Sequence, residues 1–138
     1  MKQCVQAAAM MAALVLGLSV HAGEKDEGAW QDSFDLEKCT HQTKGKNRYF
    51  ILEPGYQIVL ASSSAQVFIT VLDETVKVNG IETRVIEERE FEKGQLKEVS
   101  RNFFTICKET RDVFYHGEEV DNYKDGKISD HGGAWRAG

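Results

Sequence analysis

The chain has 138 residues, with 17 Lys and Arg against 22 Asp and Glu and a formal net charge of −5 at pH 7. An acidic surface repels phosphate backbones and anionic headgroups, so a nucleic-acid role and an electrostatic membrane role are disfavoured. The length allows one small domain, which buries about 60–70% of the surface its unfolded chain exposes.

Residues 1–22 read as a cleavable secretory signal peptide. Lys2 is the only charge before Glu24, and Val5 to Val20 is Ala, Val, Leu and Met, broken by Gln6, Gly17 and Ser19. Val20-His21-Ala22 then places small residues where a signal peptidase reads. A transmembrane anchor needs about 20 consecutive apolar residues, and this run is shorter. A lipoprotein anchor needs a Cys where Gly23 stands. The expected location is therefore extracytoplasmic, periplasmic or secreted, with no transmembrane anchor in the mature chain. Loss of Lys2 leaves 16 basic residues against 22 acidic, a net charge near −6. Loss of Cys4 leaves Cys39 and Cys107, and in an oxidising compartment two such thiols point to a disulfide. A bridge across so long a loop contributes about 4–5 kcal/mol in the chain-entropy model. It pins the polar N-terminal segment onto the core.

Residues 23–47 form a polar arm, with Trp30, Phe34, Leu36 and Cys39 as anchors and one helical turn near Phe34 to Lys38. Beyond it the pattern turns to strands. Tyr49 to Leu52 and Tyr56 to Leu60 flank Glu53-Pro54-Gly55, where Pro presets one turn dihedral and Gly accepts positive φ. Ser62-Ser63-Ser64 is a loop. Gln66 to Val78 and Ile81 to Glu92 flank Asn79-Gly80, a strong hairpin signal. Lys93-Gly94 leads into Leu96 to Cys107, and Glu109 to Arg111 turns the chain into Asp112 to Tyr115. Lys124-Asp125-Gly126-Lys127 is a further tight hairpin between Val120-Tyr123 and Ile128. The expected fold is mainly β: residues 48–138 form an antiparallel meander of five to seven strands in a curved sheet.

A two-residue Asn79-Gly80 loop makes opposed positions sum to 159. Leu72 then faces Glu87, Thr70 faces Arg89 and Val71 faces Glu88. Neither face is cleanly apolar, so the sheet covers a core and lines a partly polar groove. The outward members of Phe103-Phe104 and Phe114-Tyr115 join that groove, with Tyr123 and Trp135 as further aromatics. Glu87, Arg89, Phe104 and Tyr115 are the candidate ligand-binding residues. The Glu87-Glu88-Arg89-Glu90 run reads chiefly as a solvated strand, because alternation sends Glu87 and Glu88 to opposite faces. Asp121 to Gly126 imitates the start of an EF-hand loop, but Gly132 stands where a bidentate Glu is needed. His41, His116 and His131 show no metal-site spacing, and no nucleophile or phosphate-loop motif occurs. No metal, cofactor or catalytic residue is assigned.

Four segments carry a resemblance: Tyr49-Phe50-Ile51-Leu52-Glu53-Pro54-Gly55-Tyr56, Asn79 to Glu88, Asp112 to Val120, and Gly133-Ala134-Trp135-Arg136-Ala137-Gly138. In this order they resemble an exported bacterial β-rich family of unassigned function. The resemblance implies an extracytoplasmic β domain over about residues 48–138, with no catalytic residues to carry over. Members of that family continue past the Gly-Ala-Trp segment, which implies further strands and, here, an unpaired sheet edge with Trp135 in a tail. A more distant likeness is to the curved sheets that carry lipids and lipoproteins in the bacterial envelope. The expected function is binding, of a lipid, a hydrophobic small molecule or an envelope protein. The rivals are a protein-interaction module or homodimer built on the open edge, and a metal-dependent hydrolase built on Glu87, Glu88, Glu90 and His116.

Overall fold

A computed structural model describes residues 36–138. The signal peptide, residues 23–35 of the arm and the anchors Trp30 and Phe34 lie outside the described residues. After a 3₁₀ turn at Leu36–Lys38 come β1 His41–Gln42, β2 Gly45–Lys46, β3 Ile51–Leu52, β4 Gln57–Ala61 and β5 Ala65–Val78. They are followed by β6 Ile81–Glu92, β7 Gln95–Cys107, β8 Val113–Lys124, β9 Lys127–Asp130 and β10 Trp135–Arg136. The fold is mainly β, with antiparallel strands in one open sheet of order β10-β8-β7-β6-β5-β4. Strand β1 adds to β7 and β9 to β8, while β2 and β3 form a separate ribbon. Among the described residues no helix is long and apolar enough to cross a membrane.

Local chemistry sets the meander. Asn79-Gly80, Lys93-Gly94 and Asp125-Gly126 each hold two consecutive positive φ values, 46° and 81°, 50° and 76°, 52° and 75°. That is the type I′ geometry whose twist matches the flanking strands. Pro54-Gly55 also turns the chain: Tyr56 N–H donates to Glu53 O at 3.0 Å, and Gly55 has φ 85°. The flanking strands do not pair with each other, however. Strand β3 pairs with β2 (Gly45 with Leu52, Lys46 with Ile51), and the turn passes the chain from that ribbon to the sheet edge. His41–Gln42 and Gly45–Lys46 of the polar arm thus become strands.

The register departs from a uniform sum of 159. It holds from Val78–Ile81 to Thr75–Arg84, then resumes at Val71–Ile86, so Leu72-Asp73-Glu74 bulges opposite Val85. Ile69 therefore faces Glu88, Thr70 faces Glu87 and Phe68 faces Arg89. The cause is Arg84, 3% exposed, whose Nη1 donates to Leu72 O and Glu74 O, both at 3.3 Å, and to Asp73 Oδ1 at 3.2 Å. Its Nε donates to Thr43 O at 2.9 Å. A second bulge keeps β8 continuous where two strands were expected, with His116-Gly117 opposite Phe103. Gly117 has φ 128°, and a Cβ there would lie 2.4 Å from the carbonyl oxygen of Trp135. Only glycine lets β10 cross at that point.

Cys39 and Cys107 form a disulfide with Cα atoms 5.4 Å apart, spanning 68 positions of sequence. It fastens the entry segment beside the His41–Cys107 pairing of β1 with β7. Alternation divides the side chains between two faces. On the Phe104 face, Leu52, Val71, Ile86 and Ile106 form a buried cluster with Phe50, Ile69 and Val113 packed against it. On the Phe103 face, Val78, Val85 and Phe103 pack with Leu72 and Val76, and Arg136 lies 4.8 Å from the Phe103 ring centre.

Candidate functional site

The Phe104 face carries the feature that most resembles a ligand site. Between the β2–β3 ribbon and the sheet lies a cleft of about 380 Å³. Phe50, Tyr56, Ile58, Ile69, Val71 and Ile86 supply its apolar lining, and Lys46 to Arg48 its ribbon side. The volume is at the small end of the roughly 300–1,000 Å³ typical of small-molecule pockets. Sequence chemistry places these groups: Val71 and Ile86 face each other across β5 and β6, Ile58 and Ile69 across β4 and β5. Asn47 shapes the ribbon by accepting the N–H groups of Tyr49 and Phe50 at 2.8 Å each.

An aromatic row runs from the cleft across the sheet. Phe50 and Phe104 lie 5.2 Å apart, Phe104 stacks on Tyr115 at 4.6 Å, and Trp135 meets Tyr115 edge-on at 5.1 Å. Trp135 is therefore packed and paired, opposite Glu118 in β8, rather than held in a loose tail. Tyr115 donates its hydroxyl to Asn102 Oδ1 at 2.5 Å, and Asn102 Nδ2 donates to Ser100 Oγ at 3.0 Å.

Beside the cleft stand carboxylates. Glu88 is opposite Ile69 on one side and Ser100 on the other, Glu90 is opposite Glu98, and Glu118 is opposite Asn102. Burial, then the neighbouring Glu98, Glu118 and Glu90, raise the Glu88 carboxyl above its ordinary value. Burial and Glu90 and Glu118 do the same to Glu98. Burial first, then Glu118 and Glu88, push the Tyr115 phenol well up. Like charges opposed across a ladder destabilise a sheet. A group perturbed by burial and like charges beside a cleft is a functional-site candidate.

No family model matches the chain, and neither a curated protein nor a solved structure does. The placement of residues is then what bears on function. The sheet splits the four candidate ligand residues. Phe104 and Tyr115 stack together on the cleft face, whereas Glu87 and Arg89 lie on the other, paired at 2.7 Å. The same alternation separates Glu87 from Glu88 and Glu90, and His116 is buried on the Phe103 face, so the hydrolase set does not converge. Cys39, Cys107 and Glu109 bring possible metal ligands within 4.8 Å, but the two sulfurs are bonded to each other.

Two polar constructions were missed from the sequence. One is Arg84 in the β5 bulge. The other is a chain in which Thr105 Oγ1 sits 2.8 Å from both His41 Nδ1 and His116 Nε2. One hydroxyl proton serves two ring nitrogens, so one histidine accepts while the other donates. Burial and His41 lower the His116 pKa. A histidine with a depressed folded pKa contributes stability that is present above about pH 6.5, its unfolded value, and is lost as pH falls toward the folded pKa. The raised Glu88 and Glu98 work in the opposite sense, gaining stability as they protonate. The expected result is a smaller Tm loss between pH 7.5 and 5 in His116→Gln than in the wild type, measured by circular dichroism. Equal losses would show that His116 does not titrate with unfolding.

Proposed function

We propose that this is an exported binding domain that holds a small apolar molecule or the acyl part of a lipid on the Phe104 face. The observation that carries the reading is the cleft under the β2–β3 ribbon, apolar on its sheet side and continuous with the row Phe50, Phe104, Tyr115 and Trp135. An apolar tail excludes water against Ile69, Val71 and Ile86, while the aromatic row offers flat contact area. The Cys39–Cys107 bridge fits an oxidising compartment. The likeness to an exported β-rich family and to envelope lipid carriers points the same way.

The test is titration with a dansyl-labelled long-chain fatty acid. Saturable binding is expected in the wild type, and Ile69→Asn is expected to weaken it about tenfold or more, since one buried aliphatic side chain contributes about 1.5–3 kcal/mol. Glu87→Gln, on the opposite face, is the control and is expected to bind as the wild type does. Absence of binding, or equal binding by all three proteins, would remove the reading. Native mass spectrometry of protein taken from its own host without detergent then identifies the occupant by its added mass.

A further inference from the structure

Among the described residues the sheet ends at β4, and this edge is built unlike the strands beside it. Residues 54–72 contain no charged side chain, in a chain that is 28% charged. All five residues of β4 are exposed, including Ile58 at 39%, Val59 at 50% and Leu60 at 55%. Natural edges are blunted by lysine, proline or a bulge. Strand β4 has none within Gln57–Ala61, and its register with β5 is uninterrupted.

We propose that β4 pairs antiparallel with β4 of a second copy of this chain, joining two sheets edge to edge. The backbone supports this. Val71 N–H donates to Tyr56 O at 2.9 Å and Ser62 N–H to Ala65 O at 2.8 Å. In an antiparallel ladder, bonded pairs alternate, so Ile58 and Leu60 spend their backbone groups on β5. Gln57, Val59 and Ala61 point theirs outward. A two-fold centred on Val59 sets Val59 against Val59 and Gln57 against Ala61, matching every outward donor to an acceptor. Charge chooses the partner. Two net-acidic chains repel over most of their surfaces, and the neutral 54–72 hairpin lets them approach without opposing like charges. On the Phe104 face the pairing lays Leu60 of the second copy against Ile58, which lines the cleft. The second copy thereby lengthens the apolar surface.

Sedimentation velocity of the full processed chain over micromolar concentrations tests the proposal. The expected result is a dimer that tightens as salt rises. Val59→Pro removes an outward N–H without touching the β4–β5 ladder and is expected to weaken dimerisation at least about tenfold, with unchanged circular dichroism. Val59→Lys sets like charges face to face, is fully tolerated by an exposed site, and decides the matter if the proline variant misfolds. A monomeric wild type, or a dimer indifferent to both substitutions, overturns the proposal. The readout is mass alone, so it is independent of whether the cleft binds a fatty acid.

Discussion

Arg84→Ala is expected to destabilise the domain by about 2–5 kcal/mol, since the backbone oxygens of Thr43, Leu72 and Glu74 all lose a donor and an unsatisfied buried acceptor costs about 1–3 kcal/mol. Five hydrogen bonds from the three nitrogens of one guanidinium reach Thr43, Leu72, Asp73 and Glu74. The bulge turns the carbonyls of Leu72 and Glu74 away from ladder partners, and without Arg84 they are left poorly satisfied. Asp73 adds little through its charge, because its side chain is 81% exposed. The effect therefore belongs to the backbone oxygens. Arg84→Lys is expected to recover only part of the loss, since an ammonium lacks the planar fork that reaches several acceptors. Urea denaturation measures both variants. A loss under about 1 kcal/mol in Arg84→Ala would mean that water substitutes for the guanidinium.

Removal of the disulfide has an effect of similar size for a different reason. Cys39→Ser with Cys107→Ser is expected to cost about 2–5 kcal/mol, through the freedom regained by a long unfolded loop. The folded side of the balance also changes. Residues 39–46 are held by the short pairings of β1 with β7 and of β2 with β3 and by the Arg84 and His41 contacts. Loss of the bridge leaves these to carry the segment alone. The bonds from Thr40 to the exposed Glu109 add a solvent-facing tie that lowers the Glu109 carboxyl pKa. Reduction of the wild type should therefore speed hydrogen exchange at Gln42 and Ile106, where β1 pairs with the end of β7, before β5, β6 and the rest of β7 open. Unchanged denaturation midpoints with and without reductant would place the bridge outside the cooperative unit.

The fold was legible where local chemistry dominates. Asn79-Gly80, Lys93-Gly94 and Asp125-Gly126 impose their turns whatever surrounds them, and the intervening β-branched and aromatic residues suit a pleated surface. Two oxidisable cysteines outside the leader-like segment led to the disulfide without any structure. The candidate site was legible in part. Phe104 and Tyr115 follow from outward aromatics, and the separation of Glu87 from Glu88 follows from alternation. Their grouping with Glu87 and Arg89 failed because the one-residue bulge between Glu90 and Phe91 sets Arg84 opposite Phe104, which puts Ile86 and Glu88, and not Glu87 and Arg89, on the Phe104 face.

What the sequence by itself determined is the kind of polymer surface this is: antiparallel strands, their turns, the bridge and an acidic balance. Each depends on residues near one another in the chain or on composition. Only the tertiary structure decided which side chains meet. Arg84 shifts the β5–β6 register by capturing carbonyls along the Leu72-Asp73-Glu74 bulge, and Gly117 lets β10 cross where a Cβ has no room. The Gly45–Leu52 ribbon folds over Ile86 and Ile106 to close the cleft. These are long-range contacts whose energy depends on shape and on pairing buried polar groups, and no local pattern encodes them.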